Sequence, residues 1–361
     1  MKNNKIKAEE SAAKEKTKKS PEFKSAKKEI SNLEVRALST IVLLTLLLIY
    51  VISGAIYTSL INSWSGAPYF VIISLLGSIF LISISIWEMN RALGIKDWWM
   101  HLITVVIALL LFATPVRSEE FLLTISQSSL KFMTDLHFDW LKFWIFWVLG
   151  FVFLMVYLSY GFWKKNTSLV KMLLAFAMSL VIVLAYKGFT VLCLSVIETG
   201  LGQYKAFYSF NTVIWIWMII ILTDTFAYLG GMKFGKTKLA PSISPKKTWE
   251  GATIGFVVAF IIGALYALMF YFVEPIRDFA PLTITMQQNG STVYIVFSYI
   301  GLSAVFSIIG QFGDLLFSWI KRKVDVKDYS RIIPGHGGVL DRLDSFTFAF
   351  FVVFFITIYI R

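Results

Sequence analysis

The sequence has one cysteine, three histidines and eight prolines in 361 residues, and only 16% of it is charged. One cysteine excludes a disulfide framework and any cysteine-built metal site. That residue, Cys193, lies in the apolar run TVLCLSVI and is expected to be a small packing residue. So little charge beside 57% hydrophobic residues excludes an ordinary soluble domain and points to a chain that crosses a membrane several times. The prolines fall in the N-terminal tail, in loops or at the ends of apolar runs, so none interrupts a span. No fixed-period repeat is visible.

What is abundant is apolar sequence in long runs. A span needs about 20 mostly apolar residues. Nine candidates satisfy or approach this: 37–61, 68–87, 99–115, 141–163, 169–197, 210–231, 250–273, 292–320 and 345–360. Trp98, Trp99, Trp140, Trp163 and Tyr359 gather at their edges, as interfacial belts do. The expected fold is an all-α polytopic membrane protein of about nine helices. Its divisions are a tail over 1–36, N-terminal spans over 37–209 and a chemically loaded region over 210–361.

The tail carries 11 Lys/Arg and 6 Asp/Glu, and its first 30 residues show no apolar face, so it is expected to be disordered. No apolar core follows its charges closely, which excludes a signal peptide. Its Glu residues argue against a transit peptide. Loops after even-numbered spans hold 15 Lys/Arg against 6 on the other side. The richer side faces the cytoplasm, which puts the N-terminus inside and the C-terminus outside.

Two loops on that cytoplasmic side look chemical. The first is TDTFAYLGGMKFGKTKLAPSISPKKTWEG, residues 223–251. Asp224 interrupts an apolar span, where a carboxylate costs about 2.5–3.5 kcal/mol at mid-depth. It either faces a polar cavity or snorkels to the interface. Ser244 and Pro245 suit a helix start, which would put Lys246 and Lys247 in the first turn beside Thr248. Cations are disfavoured there unless an anion such as phosphate sits on the helix end. An ordinary positive-inside loop is the plain alternative.

The second block is GQFGDLLFSWIKRKVDVKDYSRIIPGHGGVLDRLDS, residues 310–345. Asp314 again interrupts an apolar run, with Ser318 one turn on. Asp341 and Asp344, three apart, share one face if the last helix has begun. Such carboxylates without cysteine suggest Mg²⁺ rather than zinc, and Lys321, Arg322, Lys327, Arg331 and Arg342 would hold phosphate oxygens. Acidic caps paired with arginines explain one of these residues but not the set. His336 fits a turn residue or a phosphate or metal contact. Gly337 and Gly338 would let backbone N–H groups approach a ligand, or simply make a tight turn. His101 and His137 carry no assigned role.

From Ser318 to Asp344, S-W-I-K-R-x4-K-D-x-S-x2-I-P-G-H-G-G-V-x-D-R-L-D resembles the signature of phosphatidate cytidylyltransferases, also called CDP-diacylglycerol synthases. The upstream TDTFAYLGG…SPKKTWEG resembles that family's second block. The specific likeness covers about 215–361, and Glu88 is a weaker similarity. The resemblance implies transfer of a cytidylyl group from CTP to phosphatidate, giving CDP-diacylglycerol and pyrophosphate. It implies a Mg²⁺-dependent, homodimeric enzyme of a bacterial plasma membrane, with no nucleic-acid partner. Asp314, Asp341 and Asp344 fall at or beside its metal carboxylates, and a second cation is left open. Catalysis is expected from these with Lys321 and Arg342. Substrate contacts are expected from Asp224, Ser244, Lys246, Lys247, Thr248, Arg322, Lys327, Asp328, His336, Gly337 and Gly338. The chain departs from the pattern at Phe317, where an acidic residue is usual, and at Asp325 and Tyr329. A CTP-dependent polyisoprenol kinase, another lipid-phosphate cytidylyltransferase and an ion-coupled transporter are the competing readings.

Overall fold

A computed structural model describes residues 21–116, 142–164, 168–200, 203–288, 290–335 and 337–359. His336 lies outside them, as do the first twenty residues, Trp140 and His137. Among the described residues ten α-helices dominate. They are α1 (Pro21–Leu60), α2 (Tyr69–Ala92), α3 (Trp98–Ala113), α4 (Trp144–Trp163), α5 (Leu169–Leu194), α6 (Asn211–Phe234), α7 (Trp249–Phe272), α8 (Thr283–Gln288), α9 (Thr292–Lys323) and α10 (Leu340–Tyr359). Among the described residues seven helices are long and apolar enough to cross a bilayer: α1 from Ala37, α2, α4, α5, α6, α7 and α9. The chain is a multi-pass membrane protein.

The other two expected spans are also helices and miss that threshold among the described residues, α3 by length and α10 by charge. The 16 residues of α3 rise about 24 Å, short of a hydrocarbon core of about 30 Å. The 20 residues of α10 carry Asp341, Arg342 and Asp344 in the first five. Large apolar side chains such as Leu46, Leu76, Phe151, Leu265 and Phe297 lie exposed on the outer surface, as lipid-facing helices require.

Two expectations are corrected. The first helix takes in residues 21–36, which composition assigned to a disordered tail. Pro21 opens it, and the Lys, Glu and Ala that follow are good helix formers. The fold is also not all-α. α5 stops at Leu194, and β1 (Val196–Gly200) pairs antiparallel with β2 (Gln203–Ala206). β3 (Lys238–Ala240) pairs in the same way with β4 (Ser244–Thr248). The segment 195–197, counted as span, is β-branched at Val196 and Ile197 and favours a strand.

Small residues set the packing that matters for the site. Gly251, Gly255, Ala259 and Gly263 recur every fourth residue on α7 and are buried, which lets backbones approach closely. A methyl group on Gly251 would come within 2.5 Å of the Ala227 carbonyl oxygen, and one on Gly255 within 2.5 Å of that of Thr223. α6 and α7 therefore touch backbone to backbone beside Asp224. α9 is tied to both: Thr223 and Ser307 share a 3.0 Å hydrogen bond, and Gln311 Nε2 donates to the Ala252 carbonyl at 3.1 Å. Cys193 is buried against Gly54 and has a packing role, as expected.

Candidate active site

The β3–β4 hairpin bridges α6 and α7. The sequence predicts a helix starting at Ser244, but the helix starts five residues later. Thr248 is the N-cap, its side chain accepting from the Gly251 amide at 3.2 Å. Glu250 reaches back to the Lys236 and Thr237 amides at 3.0 and 3.1 Å. With the helix end capped by its own side chains, Ser244–Thr248 is left extended and pairs with β3. The awkward placement of Lys246 and Lys247 at a positive helix end disappears, because they sit on a strand.

A cavity of about 680 Å³ opens where this hairpin meets α6 and α9. Asp224, Ser244, Lys246, Lys247, Thr248 and Asp314 all line it. Two blocks separated by some sixty residues thus share one wall. Lys247 Nζ hydrogen-bonds and ion-pairs with Asp314 Oδ2, and Ser318 Oγ donates to Asp314 Oδ1 at 3.2 Å. Lys246 is exposed, and Asp224 opens to solvent. Asp344 is half-buried and does not line the cavity itself, but it feels the negative charges of Asp314 and Asp224, which do, and the positive charge of Lys321.

The signature loop between α9 and α10 is built differently. Lys321 Nζ donates to Asp341 Oδ1 at 2.8 Å, while the Tyr329 and Gly338 amides donate to Asp341 Oδ2 at 2.8 and 3.0 Å. The two charged side chains are only 11% and 5% exposed, and neither borders the cavity. Asp341, expected to bind metal, has both oxygens committed to protein donors. Gly337 and Gly338, expected to offer N–H groups to a ligand, give theirs to Ile333 O and Asp341. The turn itself explains Gly337, whose φ of +91° disfavours any side chain. Arg322 Nε donates to the Ile243 carbonyl at 3.2 Å, linking the end of α9 to the hairpin. Lys327, Asp328 and Arg342 are exposed around the loop.

The sequence departures at Phe317 and Tyr329 meet in space. Their rings stand nearly perpendicular, 6.2 Å apart, and Tyr329 Oη donates to the Phe317 carbonyl at 2.9 Å. Burial pushes the Tyr329 hydroxyl well above its ordinary pKa, with Asp344, Asp341 and Glu88 adding to the shift, so it stays a donor. Phe317 is fully buried and leaves no ligand where a carboxylate is usual.

Residues 34–360 match the Cytidylyltransferase family. The chain belongs to that family. It is 41% identical over 153 residues to a phosphatidate cytidylyltransferase of Rickettsia typhi, covering 42% of this chain and 61% of the relative. Proteins of the same name from Helicobacter pylori and Bacillus subtilis are each 37% identical, over 147 and 158 residues. Those alignments cover 41% and 44% of this chain and 47% and 49% of the relatives. The chain thus spans about half to three-fifths of the length of the relatives it matches.

Proposed function

We propose that the chain is a phosphatidate cytidylyltransferase, moving a cytidylyl group from CTP to phosphatidate with release of pyrophosphate. One observation carries this reading: a single cavity beside membrane helices combines the basic strand Ser244–Thr248 with Asp224 and Asp314. Both substrates are polyanions, and Lys246 and Lys247 supply the charge to hold a triphosphate. Phosphatidate brings its own anionic oxygen, so no strong base is required. That oxygen attacks the α-phosphorus of CTP in line and the bond to pyrophosphate breaks. No covalent enzyme intermediate forms. The protein positions the two phosphates and neutralises charge.

The donor set fits Mg²⁺. Among the described residues no three Asp, Glu, His or Cys side chains form a ready metal cage. Mg²⁺, however, commonly uses one or two carboxylates and completes its shell with phosphates and water. Asp224 and Asp314 offer such oxygens on the cavity wall, with Asp344 adding negative charge behind them. Bound there, Mg²⁺ would supply charge neutralisation to the phosphate oxygens. Asp341 would have to release Lys321 and two backbone amides to join them, and Phe317 leaves a second cation short of a carboxylate. With α3 crossing as a short span, which a bilayer accommodates by local thinning, the N-terminus and both motif loops face the cytoplasm of a bacterial cell, where CTP is found, in a homodimer in the plasma membrane.

The test supplies purified protein with radiolabelled CTP, phosphatidate and Mg²⁺ and looks for label in the lipid fraction. A labelled CDP-lipid is the expected product. Its absence sinks the assignment, and solute flux in liposomes without CTP turnover would favour a transporter.

A further inference from the structure

We propose that Glu88, in the N-terminal half of the chain, is a positioning residue for the cytidylyl transfer. It fixes the first turn of α10 and so places Asp344 beside the cavity. This rests on reading that cavity as the active site. Glu88 lies near the end of α2 and is fully buried. Its carboxylate accepts from Ser330 Oγ at 2.6 Å, from the Val339 amide at 2.9 Å and from the Leu340 amide at 2.7 Å. The partners stand 242 to 252 residues away in sequence. All three are donors, so the acceptor they suit is the ionised carboxylate.

A buried carboxylate is costly without compensation. Among the described residues no ion pair reaches Glu88. What compensates it is the N-terminal end of α10, whose free amides and dipole favour an anion. Glu88 therefore occupies the anion site that the loop would otherwise offer to a phosphate. Gly338 is shaped to it: a methyl group there would come within 2.7 Å of Glu88 Oε1. Asp341 clamps the same loop from the α10 side through Tyr329 and Gly338. Between the two carboxylates the loop has one register, and α10 has one start. Asp344 follows Leu340, a direct Glu88 partner, by one helical turn, so loss of the clamp moves Asp344 relative to Asp224 and Asp314.

The test compares wild type with the near-isosteric Glu88→Gln and the milder Ser330→Ala. Glu88→Gln is expected to lower kcat about tenfold or more, with KM for CTP changed less than about twofold. Ser330→Ala should move kcat the same way by a smaller factor. Amide exchange should rise over residues 329–345 and stay unchanged over 223–252. In an Asp344→Asn background the effect of Glu88→Gln on kcat should largely vanish, because it acts through Asp344. Unchanged kcat in Glu88→Gln, additive losses in the double variant, or unchanged exchange over 329–345 would each overturn the proposal. If Glu88→Gln does not fold, Ser330→Ala is read by the same three criteria. A wild type that makes no CDP-lipid refutes the enzymatic reading, and the exchange measurement still judges the clamp.

Discussion

Two lysine–aspartate pairs come from the two charged blocks of this chain, and they are built for opposite ends. Lys247–Asp314 lies on the cavity wall, with side chains 28% and 27% exposed. Lys321–Asp341 is 11% and 5% exposed and is joined by two backbone amides. The chemistry of the partners is the same, and access to water separates them. An open pair can exchange its partner for a metal ion or a phosphate at small cost. A buried pair cannot, because removing one member strands the other's charge away from water. On the proposed reading the open pair serves catalysis and the sealed pair architecture, although sequence alone placed all four residues in the chemistry.

The sharpest way to break that contrast is Asp314→Asn. It should cut CDP-lipid formation about 10²–10³-fold, the scale of losing one preorganised electrostatic contact, and raise the Mg²⁺ needed for what remains. Its thermal midpoint should stay near that of wild type. Lys321→Ala should do the reverse in kind. Leaving Asp341 buried and unpaired costs about 3–5 kcal/mol, read as a clear drop in midpoint and in resistance to proteolysis of the 324–339 loop. If Asp314→Asn destabilises and Lys321→Ala does not, the division between open and sealed pairs is wrong.

Much of this was legible in the sequence for a physical reason: a span is a local property. The apolar runs mark the helices closely, and α6 and α9 start within one residue of expectation. The charged loops were legible too, because charge at a membrane boundary needs an explanation. What could not be read was partnership. The helix proposed at Ser244 failed because Pro245 and Ser244 are ambiguous start signals. Thr248, with Glu250 two residues on, was the better one. Asp341 looked like a ligand because a carboxylate's lone pairs carry no sign of whether protein amides fill them. Lys187 drew no notice, yet it is a buried lysine inside α5 that donates to the Thr114 carbonyl at the end of α3. Glu88 registered only faintly, since its partners lie more than 240 residues away.

The smallest expected effect sharpens the contrast within the cavity itself. Lys246 and Lys247 are neighbours on one strand and both border the cavity, but they differ in burial and in partner. Lys246 is exposed, whereas Lys247 is half-buried and bound to Asp314. Lys247→Ala should raise KM for CTP about tenfold, the loss of one charge-assisted contact, with kcat less affected. It should also lower the Mg²⁺ concentration for half-maximal rate, because the ammonium no longer competes for Asp314. Lys246→Ala should raise KM only about twofold, as expected of a solvated cation, and leave the Mg²⁺ dependence alone. Equal effects of the two substitutions, or a higher Mg²⁺ requirement in Lys247→Ala, would mean that Lys247 does not stand in for the metal at Asp314. The open pair would then be no more exchangeable than the sealed one.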